Sequence, residues 1–189
     1  MRKLVLFMHV SLDGFAARPG GGIDWVIVQD EMFDIAFQQT EASDLALYGR
    51  VTYEVMQAYW PTAADKPNAT KHDIEHSTWY NKVDKVVLSK TMRGQILPKT
   101  TIISDNALAR VEELKQHDGK DIVMFGSPGT AHQFIRHDII DEYWLFINPI
   151  LLGKGIPLFD STQPELKLNL VKGEVFKSGL VCLHYERLR

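Results

Sequence analysis

The order in which strand-like and helix-like segments follow one another constrains the fold of this chain more than any other feature. Over the first two thirds, short apolar runs alternate with segments whose apolar residues recur every three or four positions. The strand-like runs are 4–10, 45–48, 83–88, 101–103 and 122–125, and the helical segments are 31–39, 51–59, 74–81, 107–116 and 130–136. This alternation predicts βαβ crossovers and a parallel sheet.

The last third of the chain does not show this alternation of strands and helices. Segments 143–152, 166–176 and 180–187 are strand-like, and no clear helical pattern separates them. Residues 177–179, Lys-Ser-Gly, lie between two of these runs where a hairpin turn is expected, so antiparallel pairing is predicted. The predicted fold is therefore α/β, with helices on both faces of a mixed sheet that is parallel early and antiparallel at the C-terminus. Because 61–71 is interpreted as a surface connection, residues 1–189 are expected to form a single domain.

Composition narrows the functional class. The 189 residues are 45% hydrophobic and carry a net charge of −3 without a basic run, so bulk charge does not favour binding to nucleic acid or a membrane. No apolar stretch approaches the roughly 20 residues that span a bilayer. The start of the chain imitates a short secretory signal, but the apolar run passes directly into a turn at Asp13-Gly14. With Cys182 as its single cysteine, the protein is expected to be cytoplasmic, with a reduced thiol.

Three predicted strand ends carry groups suited to phosphate. After the strand at 45–48, Gly49 opens a helix whose first N–H groups, Arg50 and Thr52 can converge on one anion; alternatively, Gly49 only turns the chain and Arg50 is solvated. After 122–125, the turn Gly-Ser-Pro-Gly-Thr at 126–130 is again glycine-rich, although it matches neither a dinucleotide fingerprint nor a Walker loop.

The third strand end, at 86–91, places two hydroxyls and an ammonium together at Ser89, Lys90 and Thr91. This group suits a phosphate monoester such as the 2′-phosphate of NADP, and the alternative is a set of ordinary polar turn residues. Each strand end is a weak signal alone. Three of them in one sheet match the three phosphates of NADP.

Five segments in register resemble the dihydrofolate reductase fold in its broader form. They are Ser-Leu-Asp-Gly-Phe at 11–15, Tyr-Gly-Arg-Val-Thr-Tyr-Glu at 48–54, Val-Leu-Ser-Lys-Thr at 87–91, Gly-Ser-Pro-Gly at 126–129, and the long segment 140–159. Within that fold, the chain resembles the reductase domain of the bifunctional deaminase-reductase of riboflavin biosynthesis and related stand-alone bacterial proteins. The zinc-ligand motifs of the deaminase half are absent from these 189 residues, so the chain is not expected to be the bifunctional enzyme.

The resemblance implies an NADPH-binding reductase. By position, the turns at 49–52 and 126–130 would flank the pyrophosphate, Ser89 and Lys90 would face the 2′-phosphate, and the loop 11–17 would border the nicotinamide. The implied cofactor residues are Ala16, Gly49, Arg50, Val51, Thr52, Leu88, Ser89, Lys90, Thr91, Gly126, Ser127, Pro128, Gly129 and Thr130. Ser127 departs from the paired glycines of dihydrofolate reductases, although stand-alone members often carry Gly-Ser there.

The catalytic residues stay undetermined, with Asp13 and Asp34 as candidates. Asp34 is near the position of the carboxylate with which dihydrofolate reductases hold the pterin, but Glu31 and Asp34 also fit an exposed polar stripe. Asp13 could contact substrate, or its carboxylate could only accept backbone N–H bonds in an Asp-Gly turn. Hydride transfer needs no acid from the protein if water delivers the proton.

One motif is typical of a different function, metal-dependent hydrolysis. His72 to His76 reads H-x-x-E-H, an inverted zinc-protease pattern, but no third ligand is apparent; a solvated helix start is expected instead, and no metal is assigned. Trp144 and Phe146 alternate along a strand, which favours sheet packing over ligand stacking.

The sequence therefore predicts an NADPH-dependent reductase acting on a small heterocyclic or carbonyl-bearing metabolite. Two alternatives stay open: a non-catalytic NADP-binding protein, and a true dihydrofolate reductase that uses Asp34. Because related riboflavin reductase domains pair through the C-terminal third, the resemblance also implies a homodimer; the alternative is a monomer with both sheet faces covered by helices.

Overall fold

Ten β-strands and five α-helices make up the computed structural model, which describes residues 1–189. The strands are β1 Leu4–Ser11, β2 Phe15–Ala17, β3 Ser43–Gly49, β4 Asp84–Leu88, β5 Thr100–Ile103, β6 Asp121–Phe125, β7 Glu142–Asn148, β8 Ile156–Pro157, β9 Leu168–Val175 and β10 Val181–Arg187. The helices are α1 Asp30–Glu41, α2 Arg50–Tyr59, α3 Lys71–Lys82, α4 Ala107–Gln116 and α5 Pro128–Arg136, with a 3-10 helix at Trp60–Asp65. The chain divides into two compact units, unit 1 (1–2 and 28–127) and unit 2 (3–27 and 128–189).

Unit 1 contains a fully parallel group of four strands in the order β5-β4-β3-β6. The connection from β3 to β4 contains α2 and α3, and that from β5 to β6 contains α4, as parallel pairing usually requires. Strands β4 and β5 are joined by residues 89–99, which contain no helix. In register, Gly49 lies beside Leu88 and Leu88 beside Ile103, so the carboxyl ends of β3, β4 and β5 are level. The parallel early sheet predicted from the sequence is confirmed.

Helices cover both faces of these strands. Tyr48 of β3 is fully buried, and its ring lies 6.3 Å from that of Tyr53 on α2 and 6.4 Å from that of Tyr80 on α3. Leu45 projects to the opposite face, because successive side chains of a strand alternate. There it lines a cavity of about 390 Å³ together with Leu114 of α4. Unit 1 is thus layered helix, sheet, helix, as predicted.

Unit 2 contains the antiparallel strands. Strand β1 pairs with β7 in parallel, β7 pairs with β10 antiparallel, and β10 pairs with β9 antiparallel. The predicted hairpin between β9 and β10 is present, and Gly179 in its turn has a φ of +84°, which favours glycine. The change to antiparallel pairing near the C-terminus is therefore confirmed.

Aromatic side chains of β7 pack within unit 2. The Trp144 ring stacks on that of His184 at 4.1 Å, and the Phe146 ring lies 4.7 Å from Phe7 and 5.0 Å from His9. Sheet packing, rather than ligand stacking, is what the alternating pattern predicted. None of the helices combines the length and apolar character needed to cross a membrane.

Several boundaries differ from the sequence expectation. Strand β7 ends at Asn148 instead of 152, because Pro149 has no N–H with which to continue a ladder. Residues 61–65 of the expected surface connection at 61–71 belong to a 3-10 helix, Trp60–Asp65, and Lys71 already begins α3. The two-stranded antiparallel pair of β2 and β8 is too short to leave a periodic pattern and was not predicted.

Candidate functional site

The carboxyl ends of the parallel strands of unit 1 bring together the predicted phosphate-binding groups. Gly49 ends β3, Ser89 follows β4, and Gly126 follows β6, with β3 between the other two strands. Ser89 is anchored to its neighbour, since its N–H donates to the Ile103 carbonyl of β5 at 3.0 Å. Open parallel sheets place their ligands at this edge. The three phosphate-suited strand ends, which are far apart in the sequence, therefore lie side by side in the sheet.

The N-terminus of α2 is open to an anion. Gly49 is its N-cap in an extended conformation, and no side chain caps the first turn. The first N–H groups of a helix have no partner within the helix, and the positive end of the helix dipole lies there. Arg50 is in this turn, where its Nη1 donates to both carboxylate oxygens of Glu54 at 2.9 and 2.8 Å. Val51 is exposed and Thr52 is half-buried.

The turn after β4 offers hydroxyls and a cation. Ser89 is buried, and its Oγ accepts a hydrogen bond from the Met92 N–H at 3.1 Å, which leaves the hydroxyl proton available for donation. Thr91 Oγ1 lies 3.3 Å from Ser89 Oγ. Lys90 is exposed. Leu88, the last residue of β4, is half-buried beneath them.

The glycine-rich turn after β6 belongs in part to each unit. Gly126 and Ser127 lie in unit 1, and the peptide bond between them is cis. Pro128, Gly129 and Thr130 lie in unit 2, where they form the first turn of α5. The helix therefore begins two residues earlier than predicted, with proline at a first-turn position that needs no N–H donor.

Asp13 holds two loops of unit 2 together. Its Oδ1 accepts from the Ser11 hydroxyl at 2.6 Å and from the Leu152 N–H at 3.1 Å, and its Oδ2 accepts from the Gly153 N–H at 2.7 Å. The Ser11 hydrogen bond, followed by those from the backbone, lowers the pKa of the Asp13 carboxyl below its usual value. These bonds match the turn-stabilising alternative considered for Asp13.

Ala16 is buried in β2, the strand that pairs with β8. This pairing requires glycine at 155, because a Cβ atom there would collide with the Ala17 carbonyl oxygen. The loop predicted to border the nicotinamide is therefore held against the segment that contains Gly155.

Asp34 lies on the exposed side of α1, with its side chain 55% exposed and its Oδ1 3.6 Å from Lys71 Nζ. Glu31 is exposed as well, so both residues occupy a polar stripe. The Asp34 carboxylate is therefore exposed on α1 in this structure.

The H-x-x-E-H histidines are buried, so the expectation of a solvated helix start is wrong. His72 stacks on Phe33 at 5.1 Å, and the His76 ring lies 4.1 Å from that of Trp60. The sequence pattern could not show this, because the aromatic partners come from α1 and the 3-10 helix. No group of three or more His, Cys, Asp or Glu side chains could hold a metal ion.

Sequence reasoning missed Arg93 and Asp105. Arg93 Nη2 forms an ion pair with Asp105, and Arg93 Nε donates to Ser104 Oγ at 3.2 Å, beside the carboxyl end of β5. Arg93 lies in the connection from β4 to β5 and Asp105 follows β5, so the pairing of these two strands brings the residues together. Arg93 is three residues after Lys90 in the chain, and its charge is balanced by that of Asp105.

Comparison with known proteins shows the family to which this chain belongs. The family profile of the RibD C-terminal domain matches residues 2–182. Uncharacterized protein YyaP of Bacillus subtilis (strain 168) is 33% identical over 186 residues, covering 97% of this chain and 94% of YyaP.

Solved structures of other proteins share the fold of this chain. A protein assigned to riboflavin biosynthesis from Shewanella sp. PV-4 superposes with a TM-score of 0.72 at 26% identity, covering 99% of each chain. A pyrimidine reductase-like protein from Corynebacterium diphtheriae shares the fold, with a TM-score of 0.71 at 16% identity and coverage of 100% of this chain and 92% of that one. The chain belongs to the RibD C-terminal domain family, which has the dihydrofolate-reductase-like fold.

Proposed function

We propose that this protein is an NADPH-dependent reductase that transfers hydride to a small heterocyclic or carbonyl-bearing metabolite. The observation that carries the proposal is the convergence of Gly49, Ser89 and Gly126 at one edge of the parallel strands, beside the uncapped start of α2. Membership of a reductase-like family supports an oxidoreductase, and the family usually binds a nicotinamide cofactor. The proposal includes a single domain and a cytoplasmic location, which the free thiol of Cys182 favours.

The residues at this edge fit the phosphates of NADPH. A glycine N-cap brings no side-chain oxygen to compete for the first N–H groups of α2, so a pyrophosphate can accept them. Arg50 would add a charge-assisted bond by turning from Glu54 to the phosphate. Beside it, Ser89, Lys90 and Thr91 provide two hydroxyls and a flexible ammonium for the 2′-phosphate.

Bound NADPH would supply the hydride, so the protein's contribution is binding and orientation. Asp13 is an unsuitable proton donor, because its lowered pKa keeps the carboxyl ionised and its oxygens already accept three hydrogen bonds. Asp34 is exposed on α1. The proposal therefore assigns no catalytic acid and leaves the proton to water.

The experiment has two parts. Calorimetric titration measures whether NADPH binds, and absorbance at the nicotinamide band measures turnover with pterins, flavin precursors and reactive carbonyls. Binding with substrate-dependent oxidation supports the reductase. Binding without oxidation above the blank favours the non-catalytic alternative, and absence of binding contradicts both.

A true dihydrofolate reductase is the second alternative. It predicts reduction of dihydrofolate that collapses in Asp34→Asn, because the pterin would lose its carboxylate partner. The exposure of Asp34 argues against this outcome. Undiminished dihydrofolate reduction by Asp34→Asn would remove the residue from the site.

A further inference from the structure

Unit 1 contains a cleft of about 550 Å³ that none of the proposed cofactor residues lines. It lies between α2 and the connection from β4 to β5, and Lys85 and Lys99 line it near the amino ends of these strands. The proposed cofactor residues lie at the opposite, carboxyl ends. A ligand bound to Lys85 would therefore lie at the other end of β4 from Ser89, while Met92 of the cleft wall donates its N–H to Ser89 Oγ.

Lys85 is the most unusual residue of the cleft. Only 5% of it is exposed, its Nζ donates to the Val83 carbonyl at 3.0 Å, and the same atom lies 4.5 Å from the centre of the Tyr80 ring. An ammonium has three donors, and the bond to the Val83 carbonyl occupies one of them. A buried cation is costly, and an anion in the cleft would relieve that cost.

The charges around Lys85 have the sign that attracts an anion. Burial, followed by repulsion from Lys99, lowers the pKa of Lys85, and attraction to Asp84 opposes this only in part. Glu54 also lines the cleft, but its carboxylate is already paired with Arg50. Lys85 and Lys99 therefore give the cleft a positive charge that no carboxylate of its lining neutralises.

The walls are suited to a flat apolar body. Tyr53 and Tyr80 are buried and contribute aromatic surface, while Met92, Leu97 and Pro98 contribute aliphatic and thioether surface. The Tyr80 hydroxyl is already engaged, donating to Gln57 Oε1 at 2.9 Å. Polar side chains, among them Gln57, Asn81 and Gln95, line the rest of the cleft. Apolar surface with polar groups around it is typical of small-molecule sites.

We propose that this cleft binds a small aromatic carboxylate, with its carboxylate on Lys85 and its ring among Tyr53, Tyr80 and Met92. A carboxylate has two oxygens that can accept from the remaining N–H groups of Lys85 and one charge for one buried ammonium. The proposal is independent of NADPH use, because none of the proposed cofactor residues lines the cleft.

The test uses benzoate as the probe and benzamide as its neutral counterpart, each titrated into the full chain and followed by calorimetry and protein NMR. Benzoate is expected to bind saturably at one site, about tenfold or more tightly than benzamide, since charge-assisted bonds are the stronger ones. Lys85→Met should reduce benzoate affinity by a similar factor. Lys115→Met, which alters another buried lysine outside the cleft, should leave it unchanged.

A second variant keeps the test decisive if Lys85→Met does not fold. Ala58 is exposed on α2 and lines the cleft, so Ala58→Trp should fill the space and abolish benzoate binding without altering Lys85. Equal affinity for benzoate and benzamide, no saturable binding of benzoate, or unchanged binding in Ala58→Trp would overturn the proposal. NADPH titration of the same samples tests the reductase proposal separately.

Discussion

Cofactor choice depends on a few side chains that follow β4 and β5. Lys90 is exposed, with no hydrogen bond or ion pair to other residues, so its ammonium is free to meet a phosphate. Asp105, which follows β5, could in principle accept hydrogen bonds from a ribose diol, as acidic residues do in NAD sites. Its ion pair with Arg93 makes it less available for that role. This arrangement favours NADP over NAD.

Substitution of Lys90 tests that preference. Lys90→Ala should weaken NADPH binding about 10- to 150-fold, the loss expected for a charge-assisted contact, and should change NADH binding little. Arg50→Ala is the matched control, because the pyrophosphate is common to both cofactors and both should bind more weakly. Equal losses for NADPH and NADH in Lys90→Ala, measured by calorimetry, would remove Lys90 from the 2′-phosphate.

Buried histidines make stability depend on pH. His76 is 7% exposed, its Nε2 has no hydrogen-bond partner, and burial lowers its pKa from 6.5 to about 4. His9 in unit 2 has its pKa lowered to about 4 for the same reason. Below pH 6.5 the unfolded chain takes up protons that the folded chain does not. Stability is therefore fully present above about pH 6.5 and is lost as the pH falls towards 4.

The expected result is a lower free energy of unfolding at pH 4.5 than at pH 7.5, measured with urea. His76→Gln should reduce that difference by about 2 kcal/mol, since it removes one buried group whose pKa differs between the folded and unfolded states. His137→Gln, at an exposed histidine, serves as the control and should leave the difference unchanged. If the free energy of unfolding of His76→Gln depended on pH as that of the wild type does, His76 would not be a source of the pH dependence.

Among the elements, the pair of β2 and β8 depends on a single close approach. Gly155 precedes β8, and a side chain there would meet the Ala17 carbonyl oxygen and the Phe15 ring. The Ala17 carbonyl oxygen belongs to the backbone, so it cannot move aside as the end of a flexible side chain can. The position of β2, and with it Ala16 in the proposed nicotinamide loop, therefore depends on glycine at 155.

Gly155→Ala should lower the free energy of unfolding by about 1–3 kcal/mol, the usual cost of overpacking. Gly20→Ala is a suitable control in the same unit, because nothing lies within 4 Å of the added Cβ atom there. Urea unfolding measures both variants. A loss no larger than that of Gly20→Ala would show that β8 adjusts without cost.

At the scale of the whole molecule, β9 is an exposed edge. It is the last strand in the order β7-β10-β9, and Leu170, Val171 and Val175 are 53%, 48% and 77% exposed. Apolar edge strands are sites of association unless they are covered. This supports the homodimer implied by the resemblance to riboflavin reductase domains.

Light scattering should therefore give a mass of about 43 kDa, twice the 21.5 kDa of one chain. Val171→Lys should shift the mass to that of one chain, because a lysine on an edge strand opposes strand-to-strand association. Val55→Lys, at an exposed valine of α2, should remain dimeric. A wild-type mass near 21.5 kDa that does not change on dilution would contradict the dimer.

Local patterns in the sequence were sufficient for the order and type of most elements, including the change from parallel to antiparallel strands, because strand and helix periodicities are properties of neighbouring residues. The three phosphate-suited strand ends could also be predicted, since parallel strands bring their carboxyl ends to one edge. Only the tertiary structure decided that His72 and His76 are buried, that Asp34 is exposed and that Lys85 lines a cleft. These outcomes depend on which distant segments pack together, and that packing leaves no periodic signal in the chain.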